Sequence, residues 1–320
     1  MKTFTSLLAG ALLLFAQVVS FAQPYPSKPI RIIVPLAAGG TGDTLARVIG
    51  EGMAKELGQP LVIENRSGAG GLLGTTAVLN MSADGYTLLA VSPSHVINPA
   101  LHLAPTYDPL KDFEPVTVLA YTHQVIVANP SVPANNLKEL LAYAKANPGK
   151  LNYGSAGTGS ATHLNMELLK SMAGVNIVHV PYKGSTQARQ AVLAGEVQLA
   201  VDGLLPLQPL IKAGKLKVIA VTSSKRPESN PEIPTVGETV PGYASDTWYG
   251  LLVRSGVPKE EVSTLHQAAV KALQTPSVRE GLKKLGADPA GNTPEEFRAF
   301  LEKEQTLWTK VMKDSGVNPQ

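Results

Sequence analysis

The chain has 320 residues, 28 Lys+Arg against 25 Asp+Glu for a formal charge of +3, and no cysteine. Disulfides, lipid-bearing thiols and cysteine-based zinc sites are therefore excluded, and no basic block makes an electrostatic case for nucleic acid. The six histidines, His95, His102, His123, His163, His179 and His266, fall at no metal-ligand spacing, so neither a metal nor another cofactor is expected.

Residues 1–22 read as an export signal. Lys2 supplies a short positive region, residues 7–19 an apolar run too short to span a bilayer, and Ser20-Phe21-Ala22 a small-x-small cleavage site. The mature chain is expected to begin near Gln23, after Ala22, and to reside in the periplasm. Roughly 300 remaining residues exceed what one compact α/β core usually holds, which points to two domains.

From Ile30 the pattern alternates strand and helix. Residues 30–34 are an unbroken aliphatic run, as in a strand covered on both faces, and Leu45, Val48, Ile49, Met53 and Leu57 then recur at helical spacing. Between them, Ala38, Gly39, Gly40, Thr41 and Asp43 occupy the open end of a strand-loop-helix unit. Backbone N–H groups of a first helical turn beside a glycine loop suit an anion; an ordinary connection capped by Asp43 or Thr41 is the alternative. Residues 60–65 read as a second strand, Gly68-Ala69-Gly70-Gly71 as a turn opening a helix through Leu79, and 86–91 as a third strand. Gly68, Gly70 and Gly74 miss the dinucleotide fingerprint by one place, the third glycine position being Leu73, so the turn is read as close helix packing, with ligand-facing amides as the alternative. Ser92-Pro93-Ser94-His95 follows the third strand as a polar loop on the carboxyl edge of a parallel sheet, which makes Ser94 a candidate contact.

Residues 116–120 and 124–128 are two strand-like runs joined by Tyr121-Thr122-His123, the expected first crossing between lobes. A second strand-helix series begins there, with a helix over 137–146 opened by the capping-box pair Asn136 and Glu139. Ser155, Ala156, Gly157, Thr158, Gly159 and Ser160 precede a helix carrying Leu164, Leu168, Leu169 and Met172 on one face. This loop nearly matches a phosphate-binding loop, but Ser160 stands where the lysine belongs. A carboxylate suits such neutral donors better than a triphosphate; a glycine turn capped by Ser160 is the alternative. Strands over 176–181 and 197–201 close on Lys183 and Asp202 at the same edge. Lys183 reads as a ligand contact or a solvated loop cation, Asp202 as a cap or a contact to a ligand amine. Another strand covers 217–221, residues 245–253 form the second crossing, and helices over 260–273, about 278–285 and 294–312 end the chain.

The expected fold is α/β, with two doubly wound domains joined by two crossing strands. Lobe 1 comprises residues 23–122 plus 247–320, and lobe 2 residues 123–246. Ser155 or Ser160 with His163 would suggest a hydrolase, but the Gly-x-Ser-x-Gly elbow is absent and no third group is indicated, so an enzyme is not expected.

Taken together, residues 35–43, 68–74 and 154–163, Tyr182-Lys183-Gly184, Val201-Asp202-Gly203, Asp108-Pro109 before Lys111-Asp112-Phe113, and Ile233-Pro234-Thr235-Val236 resemble the Bug family. These are the extracytoplasmic solute receptors of tripartite tricarboxylate transporters. The resemblance spans essentially the whole mature chain. It implies a two-lobed, type II-like periplasmic binding protein, monomeric, that closes over a small carboxylate and delivers it to an integral membrane permease. Carried onto this chain, the binding role falls on residues 38–43 and 155–160, with Ser94, Lys183 and Asp202 beside them. A periplasmic sensor feeding a membrane signalling partner would carry the same sequence. With no arginine in the matched loops to clamp a second carboxylate, a monocarboxylate or small aromatic acid is preferred over citrate.

Overall fold

A computed structural model describes residues 24–36, 38–100, 105–158 and 160–314; the proposed signal and its cleavage point lie outside them. The described residues form two mixed sheets with helices packed on them, the α/β class expected. The chain starts with β1 (Ile30–Val34), α1 (Thr41–Leu57), β2 (Leu61–Asn65), α2 (Leu72–Leu79), β3 (Thr87–Val91), α3 (Ser94–Ala100) and β4 (Phe113–Thr122). The second sheet follows, with β5 (Gln124–Ala128), α4 (Leu137–Ala146), β6 (Asn152–Ser155), α5 (Ala161–Ala173), β7 (Val178–Pro181), α6 (Ser185–Ala194), β8 (Leu199–Gly203), α7 (Leu204–Lys212) and β9 (Lys217–Val221). The chain then returns through β10 (Thr247–Arg254), α8 (Lys259–Gln274), α9 (Pro276–Lys284), β11 (Ala287–Pro289) and α10 (Pro294–Asp314).

Strand order is β11-β4-β10-β3-β1-β2 in the first sheet and β7-β6-β8-β5-β9 in the second. β1 lies between β2 and β3, parallel to both, and Ile30, Ile32, Ile33 and Val34 are buried, which is why its aliphatic run is unbroken. α1 covers it with Leu45, Ala46, Ile49 and Met53. On the same helix Gly52 lets α8 and α9 approach: a Cβ there would stand 2.9 Å from the Ala272 Cβ and 2.8 Å from Val278.

Both crossings are short. β4 ends at Thr122 in the first sheet and β5 begins at Gln124 in the second, with His123 between them. On the return, the Ser245 N–H donates to the Thr222 carbonyl beside the second sheet, and two residues later Thr247 pairs with Thr122 in the first. Asn136 caps α4 as expected, its side chain accepting the Glu139 N–H, but the box is not closed in the usual way: Glu139 reaches back to the N–H of Asn135 and the side-chain amide of Asn136 instead of the Asn136 N–H.

Three elements differ from the sequence reading. Residues 92–95 are not simply a loop, because Ser94 opens α3; Pro93 fixes the turn, and its carbonyl accepts the N–H groups of Val96 and Ile97. α7 was hidden by Pro206 and Pro209, the first in the opening turn where no N–H is needed. β11 has only three residues, among them Asp288 and Pro289, and gave no strand signal.

α10 packs over β4 and β10 through Phe297, Leu301 and Trp308, all buried. Trp248 of β10 meets Phe297 and Phe300 edge-on, with centroids 5.5 and 5.6 Å away. Gly250 makes room for this packing, since a Cβ there would lie 2.5 Å from the Phe297 ring and 3.1 Å from the Thr117 carbonyl oxygen. Gly250→Ala should destabilise the fold by about 1–3 kcal/mol through overpacking, read as a lower urea midpoint at unchanged slope.

Candidate functional site

The carboxyl ends of β1 and β3 face the start of the second sheet across a cavity of about 470 Å³. The first lobe contributes Pro35, Leu36, the Ser67–Gly71 turn, Ser92, Pro93, Ser94, Ile97 and Asn98. The second contributes Gln124, Ser160 and Ala161, and the returning strand adds Thr247 and Tyr249. Among the described residues, no charged side chain lines it.

Positive potential comes instead from the backbone. Among the described helices, α2 begins at Gly71, α3 at Ser94 and α5 at Ser160-Ala161, and each of these starting residues lines the cavity. A helix N-terminus carries a partial charge of roughly +0.5, although several first-turn N–H groups here already have partners: Leu72 on Ala69, Val96 and Ile97 on Pro93, and His163 on Ser160. Two of the three come from the first lobe and one from the second.

Glycine brings α2 into position. Gly68, Gly70 and Gly71 have φ of 144°, 66° and 103°, in the region that side chains disfavour. A Cβ on Gly74 would stand 2.6 Å from the Arg66 carbonyl oxygen and 2.8 Å from the Pro35 Cα. The close-packing reading of this turn is therefore correct, and the same turn floors the cavity. Its carbonyl at Gly70 accepts from Asn98 Nδ2 at 2.8 Å. The Ser92 and Ser94 hydroxyls lie 3.0 Å apart. Burial pushes the Tyr249 phenol pKa up, against hydrogen bonds with Thr41 and Thr122.

Of the residues singled out from sequence, Ser94 and Ser160 face this cavity from opposite lobes. Ala38, Gly39, Gly40 and Thr41 are exposed and outside its lining, Thr41 bordering it through Tyr249. Asp43 is buried. It accepts the Gly39 N–H at 2.8 Å, Asn65 Nδ2 at 2.9 Å, and Arg47 through Nε at 3.1 Å and Nη2 at 2.9 Å. The anion held in that glycine turn is thus the chain's own carboxylate, supplied from the first turn of α1. Burial raises its pKa, but the bonds from Arg47, Gly39 and Asn65 outweigh burial and hold it below the usual carboxylate value.

The second glycine loop also satisfies itself. Ala156 N–H donates to Thr162 Oγ1 at 2.8 Å, Gly157 N–H to Ser155 Oγ at 3.1 Å, and Ser160 Oγ to the Gly157 carbonyl at 2.6 Å. Ser160 also accepts the His163 N–H, the cap foreseen for it. Thr158 is exposed and outside the lining, and Gly159 lies outside the described residues. Lys183 is exposed away from the cavity. Asp202 neither caps a helix nor awaits a ligand amine. Arg189 holds it through Nε at 2.8 Å and Nη2 at 2.6 Å, one turn of α6 being laid against β8.

A serine-histidine pair does exist, between Ser155 and His179 rather than His163: Ser155 Oγ and His179 Nε2 are 2.6 Å apart. Ser155 is 0% exposed, so no substrate reaches it. The His179 ring stacks between Tyr153 and His163, at 4.9 and 4.1 Å. Burial and His163 push its pKa down to about 4. The pair braces the loop from behind.

Asn98, Gln124 and Thr247 were not singled out from sequence. Gln124 had a signal: it is a lone amide opening the apolar run Val125-Ile126-Val127-Ala128 directly after the crossing.

Residues 45–317 match the profile described as "TctC: Tripartite tricarboxylate transporter family receptor". The chain belongs to this receptor family. Protein BugT of Bordetella pertussis (strain Tohama I) is 35% identical over 298 residues, 92% of this chain and 91% of BugT, so the resemblance to Bug receptors holds. Among solved TctC-type structures, R. palustris Rpa4515 with adipate is 36% identical with a TM-score of 0.76, covering 92% of this chain and all of that one. MatC from Rhodopseudomonas palustris with bound malate is 34% identical at 0.71, covering 90% and 99%. A TctC solute binding protein from Polaromonas with no ligand is 30% identical at 0.82, again covering 90% and 99%. The family is one of periplasmic solute receptors rather than enzymes, and no helix among the described residues is long and apolar enough to cross a membrane.

Proposed function

We propose that this TctC receptor binds a small dicarboxylate between its lobes in the periplasm and presents it, as a monomer, to the integral membrane permease of a tripartite transporter. The observation that carries the reading is the charge-free cavity on which helix N-termini of both lobes converge. Separate N-termini can hold the two ends of a diacid, so the missing arginine clamp no longer favours a monocarboxylate. Adipate and malate in the relatives Rpa4515 and MatC support the ligand class. Exposed rim residues 38–41 and Thr158 would join the site on closure, while Lys183 and Asp202 drop out.

Lobes of residues 23–122 plus 247–320 and 123–246, hinged at His123 and 245–247, give that closure. The higher TM-score against the unliganded Polaromonas protein than against malate-bound MatC, despite lower identity, supports an open cleft here. Micromolar binding needs about −8 kcal/mol. Helix N-termini supply roughly 0.3–2 kcal/mol each, so hydrogen bonds from Ser94, Asn98 and Gln124, made together when the lobes shut, must contribute most of it.

A thermal-shift screen of mono-, di- and tricarboxylates tests this. A four- to six-carbon diacid at 100 times its dissociation constant should stabilise the protein by about 2.7 kcal/mol, and citrate less. The reading fails if no carboxylate moves the melting temperature.

A further inference from the structure

An amide side chain can offer a cavity either an acceptor or a donor, and its buried partner decides which. Gln124 is half-buried at the cavity wall, and its Oε1 receives Asn165 Nδ2 at 2.6 Å. Nε2 is then the group left for the cavity. Asn165 lies on α5, only 1% exposed and outside the cavity lining. Its Oδ1 accepts the Ser245 hydroxyl, and its carbonyl accepts the Tyr243 hydroxyl at 3.0 Å. Ser245 is itself fixed to the second sheet, its N–H donating to the Thr222 carbonyl and its carbonyl accepting Thr222 Oγ1 at 3.1 Å. One hydrogen-bonded chain thus runs from the second crossing, through α5, to the first residue after the first crossing. With the Ser245 hydroxyl donating to Asn165 Oδ1, Asn165 Nδ2 is the group left to donate to Gln124 Oε1, and Gln124 Nε2 is thereby directed to the cavity.

Resting on the reading of the cavity as a carboxylate site, we propose that Gln124 makes it select a carboxylate over the nearly isosteric carboxamide, and that Asn165 is the positioning residue that aims it. A carboxylate presents an oxygen to Nε2 whichever way it lies, whereas a carboxamide does so only by turning its nitrogen onto the other donors of the cavity, where donor is set against donor. No cation is needed for this discrimination. A neutral donor directed from behind by Asn165 does it, in keeping with a cavity wall that carries no charge among the described residues.

The test measures dissociation constants by calorimetry for adipate and its monoamide, which can present either end, against wild type, Asn165→Asp and Gln124→Glu. An aspartate at 165 can only accept, so it takes Nε2 from Gln124 and turns Oε1 to the cavity; Gln124→Glu puts acceptors there directly. Adipate should bind about 10- to 100-fold more weakly to both variants, and the ratio of monoamide to adipate dissociation constants should fall by a similar factor. General damage to the site would weaken both ligands alike and leave the ratio in place. Gln124→Glu lies at a half-buried position and carries the test should the buried Asn165→Asp fail to fold. Wild type that binds carboxylates with a ratio unchanged in the folded variants overturns this proposal alone; wild type that binds neither adipate nor malate overturns the diacid reading and this proposal with it.

Discussion

Asp43→Ala should lower stability at neutral pH by about 1–3 kcal/mol. The carboxylate accepts from the Gly39 N–H, from Asn65 and twice from Arg47 while itself 2% exposed. Removing it leaves the half-buried Asn65 amide short of a partner, and an unpaired buried donor costs about 1–3 kcal/mol. Gly39 is exposed and Arg47 half exposed, so both can turn to water and the loss stays near that of one donor. Because the folded pKa lies below the ordinary 3.8, the contribution is complete above that value and disappears as pH falls through the folded one. Urea unfolding at pH 7 should therefore separate variant from wild type, and the gap should narrow in acid. A gap that stays constant down to pH 2 would mean that the turn, not the carboxylate, carries the energy. Asn65 Nδ2 also donates to the Leu36 carbonyl at 3.2 Å, and Leu36 lines the cavity, so the variant should bind ligand more weakly as well.

Glu304→Gln should do the opposite and stabilise the protein above neutrality. Glu304 sits beneath the returning strand, 6% exposed, its Oε2 accepting both indole N–H groups, Trp248 at 2.9 Å and Trp308 at 3.1 Å. Burial raises its pKa from 4.5 to about 7; the two indoles oppose this and the Asp246 carboxylate adds to it. Between those two values the folded protein holds a proton that the unfolded chain has released. Stability from this group is thus full below about pH 4.5 and lost as pH rises through about 7. The loss amounts to about 3 kcal/mol at 1.4 kcal/mol per pH unit. Glutamine keeps an acceptor for the indoles and has nothing to ionise. The melting temperature of wild type minus that of the variant should fall from pH 5 to pH 8, and the wild-type tryptophan emission should titrate near neutrality where the variant's stays flat. Parallel curves for the two proteins would show that Glu304 does not titrate in that range.

Much of the architecture was legible because it depends on neighbours in the chain. The aliphatic run of β1, the helical spacing from Leu45 to Leu57, the cap at Asn136 and the change of sheet around His123 are set by contacts within a few residues. The cavity was harder to read. Gly39 to Asp43 looked like a ligand mouth, but Asn65, 22 residues on, helps fill it with Asp43. Gly68 to Gly74 looked first like close packing, with ligand-facing amides as the alternative, and the turn both packs closely and floors the site. Asp202 is taken by Arg189, 13 residues before it, and a strand-end aspartate gives no sign of that partner.

Sequence alone determined that two strand-helix series would form, where their helices would be capped and where the chain would cross, because turn chemistry and periodicity act over one or two turns; the receptor family was legible only as a resemblance of motifs in order along the chain. Tertiary structure decided which glycine turns meet across the cleft and which atom of Gln124 faces it. Those outcomes hang on how the two sheets are set against each other and on hydrogen bonds such as Asn165 to Gln124 and Ser245 to Asn165, between residues 41 and 80 positions apart, for which no local pattern exists.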